Sequence, residues 1–77
     1  MTKVEYEKCE KLMEEAIQKA EQAKEEFDKA RSEKDIYNLQ VLMESAQNHL
    51  GYAEGINQTL AVIGFKHERM KELSELV

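Results

Sequence analysis

The 77-residue sequence contains no proline, no tryptophan, three glycines and a single cysteine. Without proline, no position forbids a helix outright, and the few glycines leave few natural break points. The lone Cys9 cannot form an intramolecular disulfide or a cysteine-rich zinc site. A chain with one free thiol is typical of a reducing compartment, so we expect a cytoplasmic protein.

Long hydrophobic runs are also missing. The longest, Leu60–Phe65, is far shorter than the roughly 20 residues that span a membrane, and Met1–Lys8 lack the apolar run of a secretory signal. The sequence has no glycine-rich phosphate loop, no His-Glu-x-x-His motif and no EF-hand pattern. We therefore expect no membrane contact, no cofactor and no metal.

Positive charge is scarce, because 11 basic residues face 16 acidic ones and the net charge is −5. This balance disfavours direct binding to a nucleic-acid backbone. The charge is also unevenly distributed, since the segment 36–64 carries only Glu44 and Glu54. An ordinary surface helix with one solvated side would carry more, so this segment is the most informative part of the sequence.

The first helix is predicted over residues 3–32. Thr2 followed by Glu5 is the pattern of a capping box. Apolar or small residues then recur at alternating spacings of three and four, which is typical of a packed helix face. They are Tyr6, Cys9, Met13, Ala16, Ala20, Ala23, Phe27 and Ala30.

A tight turn is predicted at Ser32–Asp35, because the next apolar stripe starts at Ile36 and no heptad spacing connects it to Ala30. Ser32 and Asp35 are both favourable helix caps. The alternative is one continuous helix with a local irregularity, since neither proline nor glycine enforces a stop.

The second helix is predicted over residues 36–63, and a short third helix over 66–76 after a stop at Gly64. The stripe of the second helix keeps its phase across Gly51 and Gly55, which favours a continuous helix over a break there. It consists of Ile36, Leu39, Met43, Ala46, Leu50, Ala53, Asn57 and Leu60. The predicted fold is a single all-α domain over 1–77, an antiparallel helical hairpin with a short C-terminal helix.

The second helix has a further, nearly uncharged face on the side away from its main stripe, at about 100° per residue. We call this the neutral face; it consists of Tyr37, Val41, Asn48, Gly51, Tyr52, Gly55, Thr59 and Val62. One neighbouring helix covers only one stripe, and a small chain gains stability from oligomerisation. We expect a second copy to cover the neutral face, giving a dimer or larger homo-oligomer. The alternatives are a different protein partner and a solvated face of a monomer.

An acidic row on the first helix is a second candidate surface. Glu7, Glu14, Glu21 and Asp28 recur every seven residues. Such a row resembles a nucleic-acid backbone and is compatible with blocking a basic groove on an enzyme. Lys8, Lys11 and Lys29 interrupt it, so we favour an ordinary solvated helix face.

Residues suited to catalysis do not cluster. No histidine lies within helical reach of Cys9, which is expected to be a small buried hydrophobe. His49 is expected at the edge of the core. His67, near Glu68 and Glu72, is expected in a surface charge pair rather than a metal site.

These patterns predict a non-enzymatic protein–protein interaction module, a small adaptor, regulator or inhibitor. It would act as a helical homo-oligomer that binds a partner protein. The alternatives are an acidic inhibitor that occupies a nucleic-acid-binding groove, and a purely structural assembly subunit.

Overall fold

The computed structural model describes all residues from Met1 to Val77 and contains three helices and no strand. They are α1 (Lys3–Ser32), α2 (Ile36–Val62) and α3 (Met70–Leu76). Glu26 of α1 faces Ser45 of α2 while Glu15 faces Tyr52, so the two long helices are antiparallel. The predicted all-α hairpin with a short C-terminal helix is confirmed. No helix combines the length and the apolarity that a bilayer-spanning segment requires.

The start of α1 is fixed by the predicted capping box. The Glu5 backbone N–H donates to Thr2 Oγ1 at 3.1 Å, and the Thr2 N–H donates to the Glu5 carboxylate at 3.4 Å. Hydrogen bonding of the Glu5 carboxyl with Thr2, first with its side chain and then with its backbone N–H, lowers the pKa of Glu5. The carboxylate is therefore held ionised at the positive end of the helix dipole.

The connection between α1 and α2 is the predicted tight turn, not a continuous helix. Asp35 caps α2, because its carboxylate accepts hydrogen bonds from the backbone N–H groups of Tyr37 at 2.9 Å and Asn38 at 3.2 Å. Ser32 has a different role from the predicted cap. Its hydroxyl donates to the Lys29 carbonyl at 3.2 Å, inside the last turn of α1.

Helix α2 runs without interruption through Gly51 and Gly55 and ends in a Schellman motif. Gly64 has a φ of +77°, and the Phe65 N–H donates to the Leu60 carbonyl at 2.9 Å. The side chains of Phe65 and Leu60 are both buried, which supplies the apolar contact of the motif. The predicted stop at Gly64 is confirmed.

The predicted start of α3 near residue 66 is wrong, since the helix begins at Met70. Tertiary contacts hold the preceding residues in turns. Phe65 packs against Tyr6 of α1 with ring centroids 5.2 Å apart, and His67 Nε2 lies 3.0 Å from a carboxylate oxygen of Glu10. The other ring nitrogen of His67 accepts a hydrogen bond from the Arg69 backbone N–H at 3.1 Å. This N–H is therefore paired although the segment is not helical.

The hydrophobic core is deep in only one half of the hairpin. Where α3 packs, Met13, Ile17 and Leu73 are almost completely buried. The core cluster in this half consists of Cys9, Met13, Ala16, Ile17, Ala20, Ala53, Leu60, Phe65 and Leu73.

In the half near the turn, the buried residues are all alanines, Ala23, Ala30 and Ala46. The larger side chains there, including Phe27 and Leu39, stay partly exposed. The third helix therefore covers only the half of the hairpin away from the turn.

The molecule is a rod of 49 × 17 × 16 Å with a radius of gyration of 14.5 Å. A compact chain of this length would have a radius of gyration of about 11.5 Å. Its accessible surface is 5620 Å², whereas a compact 9.0 kDa monomer exposes roughly 4,900 Å². The elongated shape thus leaves about 700 Å² of surface beyond that of a compact monomer.

Candidate functional site

The neutral face of α2 is uncovered along its whole length. Tyr37 is 73% exposed and Val62 is 86% exposed, although both are large apolar or aromatic residues. The remaining residues of the face are also exposed: Val41, Asn48, Gly51, Tyr52, Gly55 and Thr59. Tyr52 at its edge contacts Glu15 of α1, but every member of the face stays exposed, and its contact with another chain stays a prediction.

Two of the three side-chain hydroxyls of the neutral face, those of Tyr52 and Thr59, already have partners within the chain. The Thr59 hydroxyl donates to the Gly55 carbonyl at 2.9 Å, and the Tyr52 hydroxyl donates to a Glu15 carboxylate oxygen at 2.6 Å. The hydrogen bond to Glu15 is the main cause that raises the pKa of Tyr52, followed by burial and the charge of Glu15. A second surface can therefore cover these hydroxyls without leaving them unpaired.

The two glycines of the neutral face have no packing role inside the chain. A Cβ atom built on Gly51 or Gly55 meets no other atom within 4 Å. Each glycine nevertheless costs the helix about 1 kcal/mol relative to alanine. Together with Leu12 and Ile56 they line a shallow concavity of about 380 Å³. Such a concavity lets the backbone of another helix approach closely.

Next to the neutral face, a polar cluster joins α1 to α2. Ser45 donates a hydrogen bond to Glu26, and His49 Nδ1 lies 2.6 Å from the other Glu26 carboxylate oxygen. Burial on its own raises the pKa of Glu26, but the hydrogen bonds from Ser45 and His49 outweigh it and lower the pKa overall. The hydroxyl points to the carboxylate and not to the imidazole, so the cluster lacks the geometry of an activated serine nucleophile.

The sequence did not reveal this cluster. It places His49 at the edge of the core, and the structure shows the side chain half-buried there. The spacing of Ser45 and His49, one turn apart on α2, was the available signal. Their partner Glu26 lies 19 and 23 residues away in the chain, which no local pattern could indicate.

The other residues considered for chemistry have structural partners. His67 pairs with Glu10 and not with Glu68 or Glu72, and Glu72 accepts instead from the Arg69 guanidinium at 3.1 Å. Cys9 is buried, as predicted. No group of three or more His, Cys, Asp or Glu side chains is arranged to hold a metal ion.

The acidic row of α1, namely Glu7, Glu14, Glu21 and Asp28, is exposed, but arginines lie beside it. Arg31 pairs with Asp28 at 3.5 Å. The hydrogen bond and the charge of Glu72 raise the pKa of Arg69, and the charges of Glu14 and Glu21 add to this rise. Arg69 therefore stands close enough to the row to weaken its negative field.

Comparison with known proteins assigns no function to this chain, so its exposed surfaces are the basis for one. No protein-family model, curated protein or solved structure matches this chain.

Proposed function

We propose that this protein is a non-enzymatic interaction module that self-associates through the neutral face of α2 and binds a partner protein. The observation that carries the proposal is an exposed face, nearly free of charge, with two glycines that no contact inside the chain requires. Glycines that weaken a helix without an internal reason are accounted for by the close approach of a second chain.

The surface area of the chain supports self-association. The surface beyond that of a compact monomer, about 700 Å², is close to the roughly 800 Å² that each partner buries in a standard interface. Only 12 of the 77 residues are buried within the chain, so a single copy has a small core for its length. Covering Tyr37, Val41 and Val62 would add the apolar burial that the chain lacks.

The contact fits a symmetric dimer. In an isologous interface the same face meets itself, and two antiparallel copies of α2 would cross near Gly51 and Gly55. Glu44 is the only charge on this side of α2 and lies seven residues from Gly51, so an antiparallel crossing near Gly51 and Gly55 keeps the two copies of Glu44 apart.

The surroundings of the reactive side chains support a non-enzymatic role. Cys9 is buried, and Ser45, His49 and His67 are engaged with carboxylates. The lone thiol also favours a reducing compartment, so we place the protein in the cytoplasm.

The test is the oligomeric state of matched variants. Analytical ultracentrifugation from micromolar to millimolar concentration should give a dimer for the wild type and a monomer for Gly55→Arg, because the arginine puts a charge into the crossing. Gln22→Arg places the same charge on the exposed outer side of α1 and should remain dimeric. A wild type that stays monomeric at every concentration, or a Gly55→Arg variant with unchanged mass, would refute self-association through the neutral face.

The acidic row supports a second, weaker candidate function, the blocking of a basic nucleic-acid-binding groove. Its exposure favours this role, whereas the nearby Arg31 and Arg69 oppose it. Charge reversal of Glu14, Glu21 and Asp28 should abolish groove blocking, while the variant should self-associate to the same mass as the wild type. Growth of the mass beyond a dimer with concentration would instead indicate a structural assembly subunit.

A further inference from the structure

An open apolar furrow lies on the other side of α2 from the neutral face. It has a volume of about 670 Å³ and runs between residues 20–31 of α1 and 39–50 of α2. Phe27, Leu39, Met43 and Leu50 line it, and each remains partly exposed. Its length along α1 is about 16 Å, at 1.5 Å per residue, which corresponds to about three helical turns.

Helix α3 indicates what kind of element fits this furrow. Leu76, in the last turn of α3, forms one end of it. In the neighbouring half of the hairpin, α3 inserts Leu73 into the core, with Met70 and Leu76 packed beside it at spacings of three. The furrow continues the path that α3 occupies, so the matching occupant is a second short helix with the same apolar spacing.

The shape of the furrow argues against a second copy as its symmetric occupant. A two-fold interface brings the same surface against itself, and two concave furrows would enclose a void. The other exposed face of this chain is the neutral face, where Tyr37, Val41 and Val62 are exposed. Its insertion into the furrow of another copy would be a head-to-tail contact that builds open filaments rather than a closed dimer.

The charges around the furrow indicate the orientation of a docked helix. Lys24 lines the furrow and forms no ion pair, whereas Arg31 is already paired with Asp28. Glu75 stands at the end formed by α3. A helix N-terminus carries partial positive charge, and acidic side chains are favourable in its first turn. A docked helix whose N-terminus lies next to Glu75, and whose first turn carries an acidic side chain toward Lys24, gives each of these two charges a partner of opposite sign.

We propose that the furrow is the docking site for one amphipathic helix of a partner protein. The helix is about three turns long, carries apolar residues three and four apart, and has an acidic first turn that faces Lys24. This inference rests on the proposed function in that the partner is a protein, but it uses a different surface from self-association.

The test uses the full-length protein and three synthetic helical peptides. The first carries the apolar stripe with an acidic first turn and a basic last turn. In the second the two charged turns are exchanged, and in the third the apolar stripe is scrambled at constant composition. Titration of isotope-labelled protein, followed by NMR, should show saturable binding of the first peptide with shifts confined to residues 20–31, 39–50 and the end of α3. The scrambled peptide should bind about tenfold more weakly or not at all.

Variants identify the surface. Lys24→Glu should weaken the binding of the first peptide about fivefold. It should also reduce the difference in affinity between the first peptide and the charge-exchanged peptide. Met43→Glu should abolish saturable binding, with far-UV circular dichroism to check the fold. Val41→Glu, on the neutral face, is the matched control and should bind the peptide like the wild type.

Several results would overturn the docking site. These are equal binding of the stripe and scrambled peptides, shifts that fall on the neutral face, or unchanged affinity in Lys24→Glu. Furrow resonances that change with protein concentration before any peptide is added would assign the furrow to a second copy. Gly55→Arg separates the two proposals: it should bind the peptide as a monomer, whatever the outcome for self-association.

Discussion

Replacing both Gly51 and Gly55 by alanine should stabilise the single chain and weaken its dimer. Both glycines lie in the interior of α2, and an added methyl group meets no atom of the same chain within 4 Å. Each substitution then contributes the full difference in helix propensity, about 1 kcal/mol, or about 2 kcal/mol for the pair. For a domain of this size the melting temperature should rise by roughly 8–16 °C.

The dimer should respond in the opposite direction. Where two helices cross at glycine, the new methyl groups occupy the space of the opposing backbone, and such overpacking costs about 1–3 kcal/mol. The dissociation constant should therefore increase about 5- to 150-fold. Thermal unfolding at concentrations below the dissociation constant measures the first effect, and sedimentation equilibrium measures the second.

Gly64→Ala is the matched control. It also has open space around the added Cβ, but its φ of +77° is unfavourable for alanine, so this variant should lose stability and dimerise through an unaltered face. A double alanine variant that dimerises as tightly as the wild type would show that the glycines lie outside the interface. A double variant that is less stable as a monomer would contradict the open surroundings of the two positions.

Two further predictions concern the stability of the hairpin. The lowered pKa of Glu26 in the folded state means that its contribution is present at neutral pH and is lost as the pH falls from about 4.5 through the folded value. Glu26→Gln should cost about 1–3 kcal/mol at neutral pH and flatten the acid dependence in urea denaturation; an acid dependence equal to the wild type would contradict the assigned hydrogen bonds. Asp35→Ala should cost about 1 kcal/mol by the same assay, because it removes the acceptor for Tyr37 and Asn38, while Asp35→Asn should retain most of the stability.

The elements that the sequence predicts correctly depend on local signals. The capping box at Thr2, the cap at Asp35 and the left-handed stop at Gly64 each involve residues within a few positions of one another. The uninterrupted stripe predicts a continuous α2, because helical phase is a property of one segment.

What the sequence could not predict depends on contacts between distant segments. The turn before α3 is held by Glu10, which lies 57 residues from His67. Ile36 belongs to the predicted stripe of α2 yet is 72% exposed, because it is the first residue of the helix. Periodicity selects the members of the neutral face, whose contact with another chain stays a prediction, whereas the furrow depends on where α3 ends and could not be predicted from periodicity.

The uneven burial of large side chains along the hairpin implies uneven local unfolding. The large residues with almost no exposure, Met13, Ile17, Leu60 and Leu73, all lie in the half that α3 covers. Opening the other half exposes little deeply buried surface, so its backbone amides should exchange with solvent at lower free-energy cost. The end of the rod near the turn is therefore the less protected cooperative unit. A ligand that binds there gains affinity only after it has offset the entropy of ordering that end.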